Sequence, residues 1–315
     1  MRKISLLILY LGFFTNNLFA QDFDQVDSIV MTYPATFKNP EKFAERLSQD
    51  FTSDLEKVRG IYTWITTNIY YDMREFKRYS YSYISLSDKR KKEIWHNRKV
   101  SKKTVSKGRA VCHGYALLFK ATCDELGIKS SYISGLGKGG FKDIGRAFLL
   151  SRHAWNMVEI DGKRYLLDVT WAAGKYRQFR KVFEFLFLTP PELFIRNHFP
   201  DNVEYSLLEI TFSKNYFIKA PLYHLSKYSK VIHVVSPLNG ILNISATKKK
   251  IFKFKGTDDI YMVSYKIGDK ITEIKDFKTI DNALELEIDF SNKIGDLITF
   301  IFNNQSIVTY RLIYP

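Results

Sequence analysis

Three chemically reactive side chains follow one another through the middle of the chain: Cys112, His153 and Asp168. A thiol, an imidazole and a carboxylate are the groups that a cysteine nucleophile uses, because the imidazole moves its proton and the carboxylate fixes the imidazole tautomer. The set therefore predicts attack of a thiolate on a carbonyl carbon, with all three residues catalytic. The alternative is a buried structural cysteine beside an ordinary sheet contact between the other two.

The segment that starts at Cys112 has the pattern of an amphipathic helix. Apolar or small residues recur every three or four positions; they are Cys112, Tyr115, Ala116, Phe119, Thr122, Cys123 and Leu126. This spacing predicts that Cys112 lies in the first turn and faces inward. Unpaired N–H groups and the helix dipole favour negative charge there, so we expect the thiol to ionise more easily than a free cysteine. The backbone N–H of Cys112 is one expected donor to an oxyanion, and the sequence assigns no second donor.

The segment HAWNMVEIDGKRYLLDVTW, which begins at His153, is predicted to form a β-hairpin. The Asp-Gly pair in its middle lies between two alternating apolar runs, which is typical of a tight two-residue turn. With that turn Ile160 pairs with Lys163, and His153 lies opposite Thr170. Asp168 is then the diagonal neighbour of His153 on the same face. The register therefore predicts a hydrogen bond between His153 and Asp168.

The stretch from Cys112 onward resembles the transglutaminase-like superfamily. The shared features are a helix that begins with cysteine, a Gly-Ile segment with a later glycine, an H-A-W-N strand and a D-x-T-W strand. CHGYALLF, GLGKGG and FLTPPELFIRNHFP are similar to the kyphoscoliosis peptidase branch, and the resemblance covers about residues 54 to 210. It implies a papain-like α+β core and a triad of Cys112, His153 and Asp168. The family often has glycine where this chain has Ala110.

The first twenty residues have the features of a secretory signal peptide. A basic start at Arg2 and Lys3 precedes an apolar run, and Ala20 ends the polar stretch that follows. The run is too short to span a bilayer, and no later stretch is apolar enough to do so. Residues 1–20 are therefore expected to direct export to the periplasm or the extracellular space and to be removed. A buried N-terminal helix is the alternative.

The chain has two cysteines, Cys112 and Cys123, which lie on one predicted helix. At 1.5 Å rise per residue they are on the order of 16 Å apart, beyond the reach of a disulfide. Both are expected to be free thiols, with Cys123 a core residue. No cluster of His, Cys and Asp has the spacing of a zinc site. The sequence thus predicts no metal and no cofactor, and His198 is expected to be an ordinary surface or packing residue.

The formal net charge of +15 is concentrated immediately upstream of Cys112. The basic residues there are Lys89, Arg90, Lys91, Lys92, Arg98, Lys99, Lys102, Lys103, Lys107 and Arg109. Such an excess indicates anionic surroundings or an anionic substrate, such as an acidic or cell-envelope-associated protein or peptide. The segment is interpreted as a loop, and two roles stay open for it: a solvated face without a binding role, or a lining of the entrance to the cleft. No nucleic-acid motif accompanies the charge, so nucleic acid is not an expected partner.

From about Leu222 the pattern changes to short alternating runs separated by turn residues. About eight strands in roughly 95 residues predict an antiparallel, immunoglobulin-like sandwich. The expected fold class is therefore α+β, with a papain- or transglutaminase-like core followed by an all-β domain. The expected domains are a signal peptide at 1–20, a thiol domain at 21–215 and a β-sandwich domain at 220–315. The sequence indicates neither a ligand for the sandwich nor an oligomeric state.

Two classes of function fit these features. The first is a secreted thiol enzyme that acts on peptide or side-chain amides through an acyl-enzyme. Hydrolysis, deamidation and transfer of a glutamine acyl group to an amine share that intermediate, and they differ in the acceptor. Hydrolysis by a peptidase is favoured, because water is the default acceptor and because the narrower resemblance is to a peptidase. The second class is a non-catalytic binding protein on the same scaffold.

Overall fold

The computed structural model describes residues 23–76, 82, 84–209, 213–226, 231–244, 248–257, 259–291 and 295–314. The signal peptide predicted at residues 1–20 lies outside these ranges. Within them, no helix combines the length and the apolar composition that a membrane span requires.

Helices and a small sheet make up the N-terminal two thirds of the described chain. The helices are α1 (Asp24–Val30), α2 (Pro40–Asp50), α3 (Asp54–Asn68), α4 (Leu86–Lys107), α5 (Cys112–Glu125), α6 (Val169–Phe179), α7 (Pro191–Phe194) and α8 (Lys214–Lys219). Short 3₁₀ turns lie at Met73–Glu75, Phe141–Asp143, Ala147–Leu149, Glu184–Leu186 and Val203–Ser206. The strands are β1 (Tyr70–Tyr71), β2 (Arg109–Ala110), β3 (Ser130–Gly137), β4 (Ser151–Ile160), β5 (Lys163–Leu167) and β6 (His198–Pro200).

Four of these strands form one antiparallel sheet in the order β5-β4-β3-β6. Ile160 pairs with Lys163 across the predicted turn, so the hairpin register is confirmed. The sheet packs against α5, where the side-chain amide of Asn156 donates to the carbonyl of Ala116 at 2.9 Å. This contact aligns the helix that begins at Cys112 with the strand that carries His153.

The hairpin is shorter than the sequence predicts. β5 ends at Leu167, and the D-x-T-W segment starts helix α6 instead of continuing the strand, so the placement of Thr170 opposite His153 is wrong. The reason is that the Asp168 side chain accepts hydrogen bonds from the backbone N–H groups of Thr170 and Trp171, which caps the helix.

The basic segment upstream of Cys112 is a helix, so the predicted loop is wrong. The side chain of Ser85 accepts from the backbone N–H of Asp88 at the start of α4, and Gly108 ends the helix in the left-handed conformation with φ 64°. Lysine and arginine are also good helix formers. The buried side of α4 consists of His96, Ser101, Thr104 and Val105.

The C-terminal part consists of two β-sheets with ten described strands, where the sequence predicts about eight. Its strands are β7 (Leu222–Tyr223), β8 (His233–Ser236), β9 (Ile241–Asn243), β10 (Lys249–Lys255), β11 (Val263–Ile267), β12 (Lys270–Ile274), β13 (Thr279–Ile280), β14 (Ala283–Asp289), β15 (Leu297–Phe302) and β16 (Gln305–Ile313). One sheet has the order β13-β14-β10-β8, and the other has the order β12-β11-β15-β16-β7, with β9 beside β16. β9 pairs with β16 in parallel, so the prediction of a purely antiparallel sandwich is wrong at that pair. Phe252 of the first sheet packs on Phe300 of the second, with ring centroids 4.5 Å apart. The predicted α+β class with a β-rich C-terminal part is confirmed.

Two large apolar cores occupy different parts of the described chain. One draws its buried residues from 23–194 and the other from 232–312. A smaller cluster contains Leu136, Leu150, Ile195, Phe199 and Phe217. The division at 21–215 and 220–315 stays a prediction, and we use the names thiol domain and β-sandwich for these two parts.

Candidate active site

Cys112 is the first residue of α5, as the sequence predicts. The preceding residue, Val111, has an extended backbone and provides no side-chain cap. The first-turn N–H groups of the helix therefore lie beside the Cys112 thiol without a competing capping side chain. Cys112 is partly exposed, whereas Cys123 is buried, and both are free thiols. Burial raises the pKa of the Cys123 thiol far above its ordinary value, so it stays protonated and inert.

Asp168 lies between β5 and α6, and its carboxylate is completely buried. Its Oδ1 accepts the backbone N–H groups of Thr170 at 2.8 Å and Trp171 at 3.0 Å. Its Oδ2 is paired with Nε2 of His153 at 2.7 Å and with Nε2 of His198 at 2.9 Å. Burial alone raises the pKa of this carboxyl. The charge of His153 and the hydrogen bonds from both histidines outweigh burial and hold the pKa well below its usual range.

The His153 ring connects Asp168 with Cys112. An ionised carboxylate only accepts hydrogen bonds, so the ring nitrogen that faces Asp168, Nε2, carries a proton. The Cys112 thiol is close enough to the ring to raise its pKa, and Nδ1 is the nitrogen that remains for that interaction. Burial lowers the pKa of His153, but Asp168 and, to a smaller extent, Cys112 raise it to about 9. The predicted hydrogen bond between His153 and Asp168 is confirmed, although a helix cap and not a strand pair creates it.

The His153 ring is held in place by the G-L-G-K-G-G segment and by an indole. The Trp171 ring stacks on the imidazole with centroids 4.9 Å apart and planes 22° apart. A Cβ atom at Gly137 would lie 3.0 Å from the Trp171 ring and 3.2 Å from the His153 Cβ. One at Gly135 would lie 2.2 Å from the carbonyl oxygen of Phe199 in β6. Glycine at both positions lets β3 approach the imidazole, the indole and the neighbouring strand.

His198 is a functional-site residue that sequence reasoning missed. It was expected to be a surface or packing residue, but it is buried and donates to the same carboxylate oxygen as His153. Burial lowers the pKa of His198, and the nearby positive charge of His153 adds to this effect; the hydrogen bond to Asp168 opposes it. No sequence spacing connects it to the other residues, because β6 reaches the site only by pairing with β3.

The sequence of the helix and hairpin region matches a known domain type. Residues 41–167 match the model of the transglutaminase-like superfamily, a range that includes Cys112 and His153 and ends one residue before Asp168. The chain contains a transglutaminase-like domain.

Curated relatives of this domain include two mammalian proteins. Kyphoscoliosis peptidase of Mus musculus is 34% identical over 188 residues, which are 58% of this chain and 26% of that protein. Kyphoscoliosis peptidase of Homo sapiens is 31% identical over 214 residues, which are 66% of this chain and 30% of that protein. The chain therefore spans less than a third of the curated relatives it matches.

A crystal structure from Cytophaga hutchinsonii, described as a candidate cysteine protease, shares 20% identity with this chain. The match covers 49% of this chain and 44% of that chain, with a TM-score of 0.28. A score this low carries no information on function.

A metal is an alternative explanation for the polar cluster of the transglutaminase-like domain. The ligand atoms of His153, Asp168 and His198 lie within 4.8 Å of one another, close enough to bind one ion. However, both Nε2 atoms already point at Oδ2 of Asp168 at hydrogen-bonding distance. An ion would have to displace two hydrogen bonds inside a buried cluster. Hydrogen bonding alone accounts for the geometry.

Two tyrosines lie close enough to Cys112 to respond to its charge. The pKa of Tyr132 is raised to about 12, first by burial and then by Cys112, and the pKa of Tyr71 is raised by the same two causes. Tyr132 also hydrogen-bonds Nδ1 of His113 at 3.0 Å. Tyr71 is more than half exposed, whereas Tyr132 is largely covered. The two rings are therefore candidate walls of the cleft that leads to the sulfur.

Proposed function

We propose that this chain is a thiol-dependent hydrolase of peptide or side-chain amides, with Cys112 as nucleophile, His153 as acid and base, and Asp168 as its orienting carboxylate. The single observation that carries the proposal is the His153 ring, which is bonded through Nε2 to a buried anion and interacts with the Cys112 thiol. A proton that can pass between sulfur and Nδ1 is what makes such a cysteine nucleophilic.

The first half of the reaction forms a thioester. The Cys112 sulfur attacks the amide carbon while the C=O electron pair moves to oxygen, and the backbone N–H at the start of α5 is positioned to donate to that oxyanion. Collapse of the tetrahedral species breaks the C–N bond. The His153 imidazolium gives its Nδ1 proton to the leaving nitrogen, and Asp168 keeps the ring in the correct tautomer throughout.

The second half returns the free enzyme. Neutral His153 takes a proton from a water molecule as the water oxygen attacks the thioester carbon. The C–S bond breaks, the sulfur leaves as a thiolate paired with the imidazolium, and a carboxylic acid is released. A primary amine in place of water gives an amide instead, so the same site supports acyl transfer when an amine competes.

The relatives support the peptidase form of the proposal. The two mammalian proteins that match this chain are called peptidases, and the match to the family model includes the cysteine-bearing helix. Because this chain spans only part of their length, the choice of hydrolysis over transfer is a proposal of its own. We further propose that the enzyme acts after export, on the basis of the signal-like segment at residues 1–20.

A peptide library analysed by mass spectrometry tests the reaction. The purified chain is incubated with the library in ¹⁸O-labelled water, with and without methylamine. Peptidase activity gives fragments with ¹⁸O at the new carboxyl end, deamidation gives intact peptides with a labelled glutamate, and transferase activity gives methylamide adducts. We expect labelled fragments from the wild type and none from Cys112→Ala. Equal product yield from Cys112→Ala, or no product of any kind from the wild type, would reject the proposed enzyme and leave a binding protein.

A further inference from the structure

We propose that His198 is a positioning residue of this site, which acts on His153 through the carboxylate that both histidines share; the proposal rests on the proposed function. His198 lies at the start of β6 opposite Gly137, and its side chain is 1% exposed. Its Nε2 lies 2.9 Å from Oδ2 of Asp168, close to the 2.7 Å distance of the His153 contact.

The His198 ring is held rigidly by aromatic packing. It stacks on Phe194 with centroids 4.0 Å apart and planes 19° apart. Trp171 lies 4.4 Å from it, and Trp155 meets it edge to face at 5.1 Å. Because Trp171 also stacks on His153, the same indole contacts both imidazoles. The position of the His198 N–H group is therefore set by the core and not by Asp168.

A fixed second donor changes what Asp168 can do. With two backbone N–H groups on Oδ1 and two ring N–H groups on Oδ2, the carboxylate makes four hydrogen bonds, about as many as its two oxygens accept. It cannot rotate about its Cβ–Cγ bond without breaking several of them. Burial keeps His198 neutral, so this ring contributes a donor without a second positive charge that would compete with His153. His198 thereby keeps Oδ2 directed at His153.

A matched pair of variants separates the donor from the ring. In His198→Gln the side-chain N–H₂ group stands the same number of bonds from the backbone as Nε2, whereas His198→Phe keeps the aromatic shape and has no donor. We measure the titration of His153 by imidazole ¹H–¹⁵N NMR, together with kcat and KM. In H198F we expect the His153 titration midpoint to fall by about one unit or more, and kcat to fall about tenfold to a hundredfold with KM almost unchanged. In H198Q the acid dissociation constant of His153 and kcat should each lie within about threefold of the wild-type value.

The two readouts keep this proposal distinct from the proposed function. Should the wild type turn over no amide, the NMR titration still decides whether His198 sets the state of His153. An unchanged titration in H198F, or equal impairment of H198F and H198Q, would overturn the positioning role. If H198F does not fold, His198→Asn provides the loss of contact, because its amide is one bond too short to reach Oδ2.

A separate feature, the solvent side of α4, presents a row of positive charge around one tryptophan. The exposed residues that define this α4 basic face are Lys91, Trp95, Arg98, Lys99 and Lys102. The Lys99 ammonium lies 4.9 Å from the centre of the Trp95 ring. Two ion pairs of α4 use Lys92 and Lys103.

The opposite side of the same helix packs on the first turn of α5. A Cβ atom at Gly114 would lie 2.7 Å from the Thr104 hydroxyl, so the two helices are in close contact there. The rings of His96 and His113 are also stacked 6.0 Å apart. Because a helix with its side chains is about 10–12 Å wide, the α4 basic face lies about one helix width from the turn that carries Cys112.

We infer that the α4 basic face binds an acidic segment of a polypeptide substrate, which deepens the proposed function by naming a substrate class. Residues 91–102 span about 16 Å of helix, which matches about five residues of an extended peptide. The four cations of this face complement the carboxylate side chains of an acidic peptide. Trp95 offers a flat ring for the peptide backbone. Binding at this distance from Cys112 raises the local concentration of the amide to be cleaved.

Charge neutralisation with a matched control tests this surface. On the Cys112→Ala background, which prevents turnover, Lys91, Arg98, Lys99 and Lys102 are each changed to Gln. The control changes four exposed lysines of the β-sandwich to Gln: Lys266, Lys270, Lys275 and Lys278. The probe is a fluorescein-labelled Glu-Gly repeat peptide, and affinity is measured by anisotropy at low salt. We expect the first set to weaken binding about tenfold or more and the control to change it less than about twofold.

Three outcomes would overturn this inference. They are equal weakening by the two sets, equal affinity of the wild type for a Gln-Gly repeat peptide, and binding to phosphatidylglycerol vesicles in place of the acidic peptide. Since the assay requires no turnover, each outcome leaves the proposed reaction to be judged on its own.

Discussion

Two buried charge networks lie in the thiol domain, one centred on Arg59 and the other on Asp168. The Arg59 guanidinium is fully buried and donates to both oxygens of Asp27, at 2.8 and 2.6 Å, and to Glu184 at 2.7 Å. The rings of Phe23 and Phe187 lie 4.7 and 4.9 Å from it. In the second network a buried anion occupies the centre, and donors surround it.

The difference between the networks shows what makes a buried charge reactive. Asp27 and Glu184 outweigh the effect of burial and hold the pKa of Arg59 above its ordinary value, so the guanidinium cannot give up a proton. The Asp168 network instead contains His153, whose pKa of about 9 lets the ring gain and lose a proton, and which has one nitrogen left for a partly exposed thiol. The first network can only stabilise the fold, whereas the second can move a proton.

The largest expected effect comes from Cys112→Ser. The change removes the thiol next to the Asp168 network and leaves every buried hydrogen bond of that network in place. Because a hydroxyl is a far weaker nucleophile at neutral pH, we expect kcat/KM on an amide substrate to fall about a thousandfold or more, with an unchanged melting temperature. Cys123→Ala is the matched control, and full activity should survive in it. Residual activity of C112S near the wild-type level would show that the sulfur is not the nucleophile.

Arg59→Leu should lower the stability of the fold and leave the activity almost unchanged. It leaves Asp27 buried without its cation, so we expect the free energy of unfolding in urea to fall by about 3–5 kcal/mol. The activity per folded molecule should stay within about twofold of the wild type, because the contacts described for Arg59 involve neither Cys112 nor His153. A selective loss of kcat at unchanged stability would mean that the two networks do not divide the roles of stability and chemistry.

A smaller effect concerns the pH dependence of stability. The pKa of His153 is raised from 6.5 to about 9, so the stabilisation that it provides is complete below about pH 6.5 and is lost as the pH rises through about 9. Between these values the wild type should lose about 1–3 kcal/mol more than His153→Gln, measured by urea unfolding. Burial lowers the pKa of Lys138 to about 7, so this residue changes the stability in the opposite direction over the same pH range. Its contribution is the same in both proteins and cancels when they are compared. Parallel curves for both proteins would contradict the raised pKa.

The smallest effect tests the packing of the imidazole. Gly137→Ala places a methyl group 3.0 Å from the Trp171 ring and 3.2 Å from the His153 Cβ, and we expect kcat to fall about threefold to tenfold. Gly139→Ala is the control, since its nearest contact is an ordinary 3.5 Å from the same indole. Equal rates in both variants, measured with one substrate, would show that Gly137 does not position His153.

The sequence-based predictions succeeded where the signal is local. The start of α5 at Cys112 and the pairing of Ile160 with Lys163 follow from patterns within a single element and a single turn, and both are confirmed. The alternating runs that predict the longer strands of the β-sandwich are also patterns within single elements. The short strands β7 and β13, of two residues each, carry too little pattern to be predicted.

The predictions failed where one side chain or one distant strand decides the structure. Asp168 caps α6 and ends a strand that the apolar pattern would continue. Aspartate is a common N-cap residue, so the sequence did contain a signal for the start of this helix. His198 could not be found at all. Its partner Asp168 lies 30 residues away, and β6 comes to the site only through pairing with β3.

The most direct test of the central claim is the rate of alkylation of Cys112 by iodoacetamide between about pH 5 and pH 10, in the wild type and in His153→Ala, with the labelled residue identified by mass spectrometry. If the Cys112 thiolate is paired with the His153 imidazolium, we expect fast labelling of Cys112 in the wild type already at acidic pH, because the thiolate is the reactive form. Without the imidazole, the labelling of Cys112 below neutral pH should slow about tenfold or more. Superimposable profiles for the two proteins would contradict the pairing of the sulfur with His153 and remove the basis of the proposed chemistry.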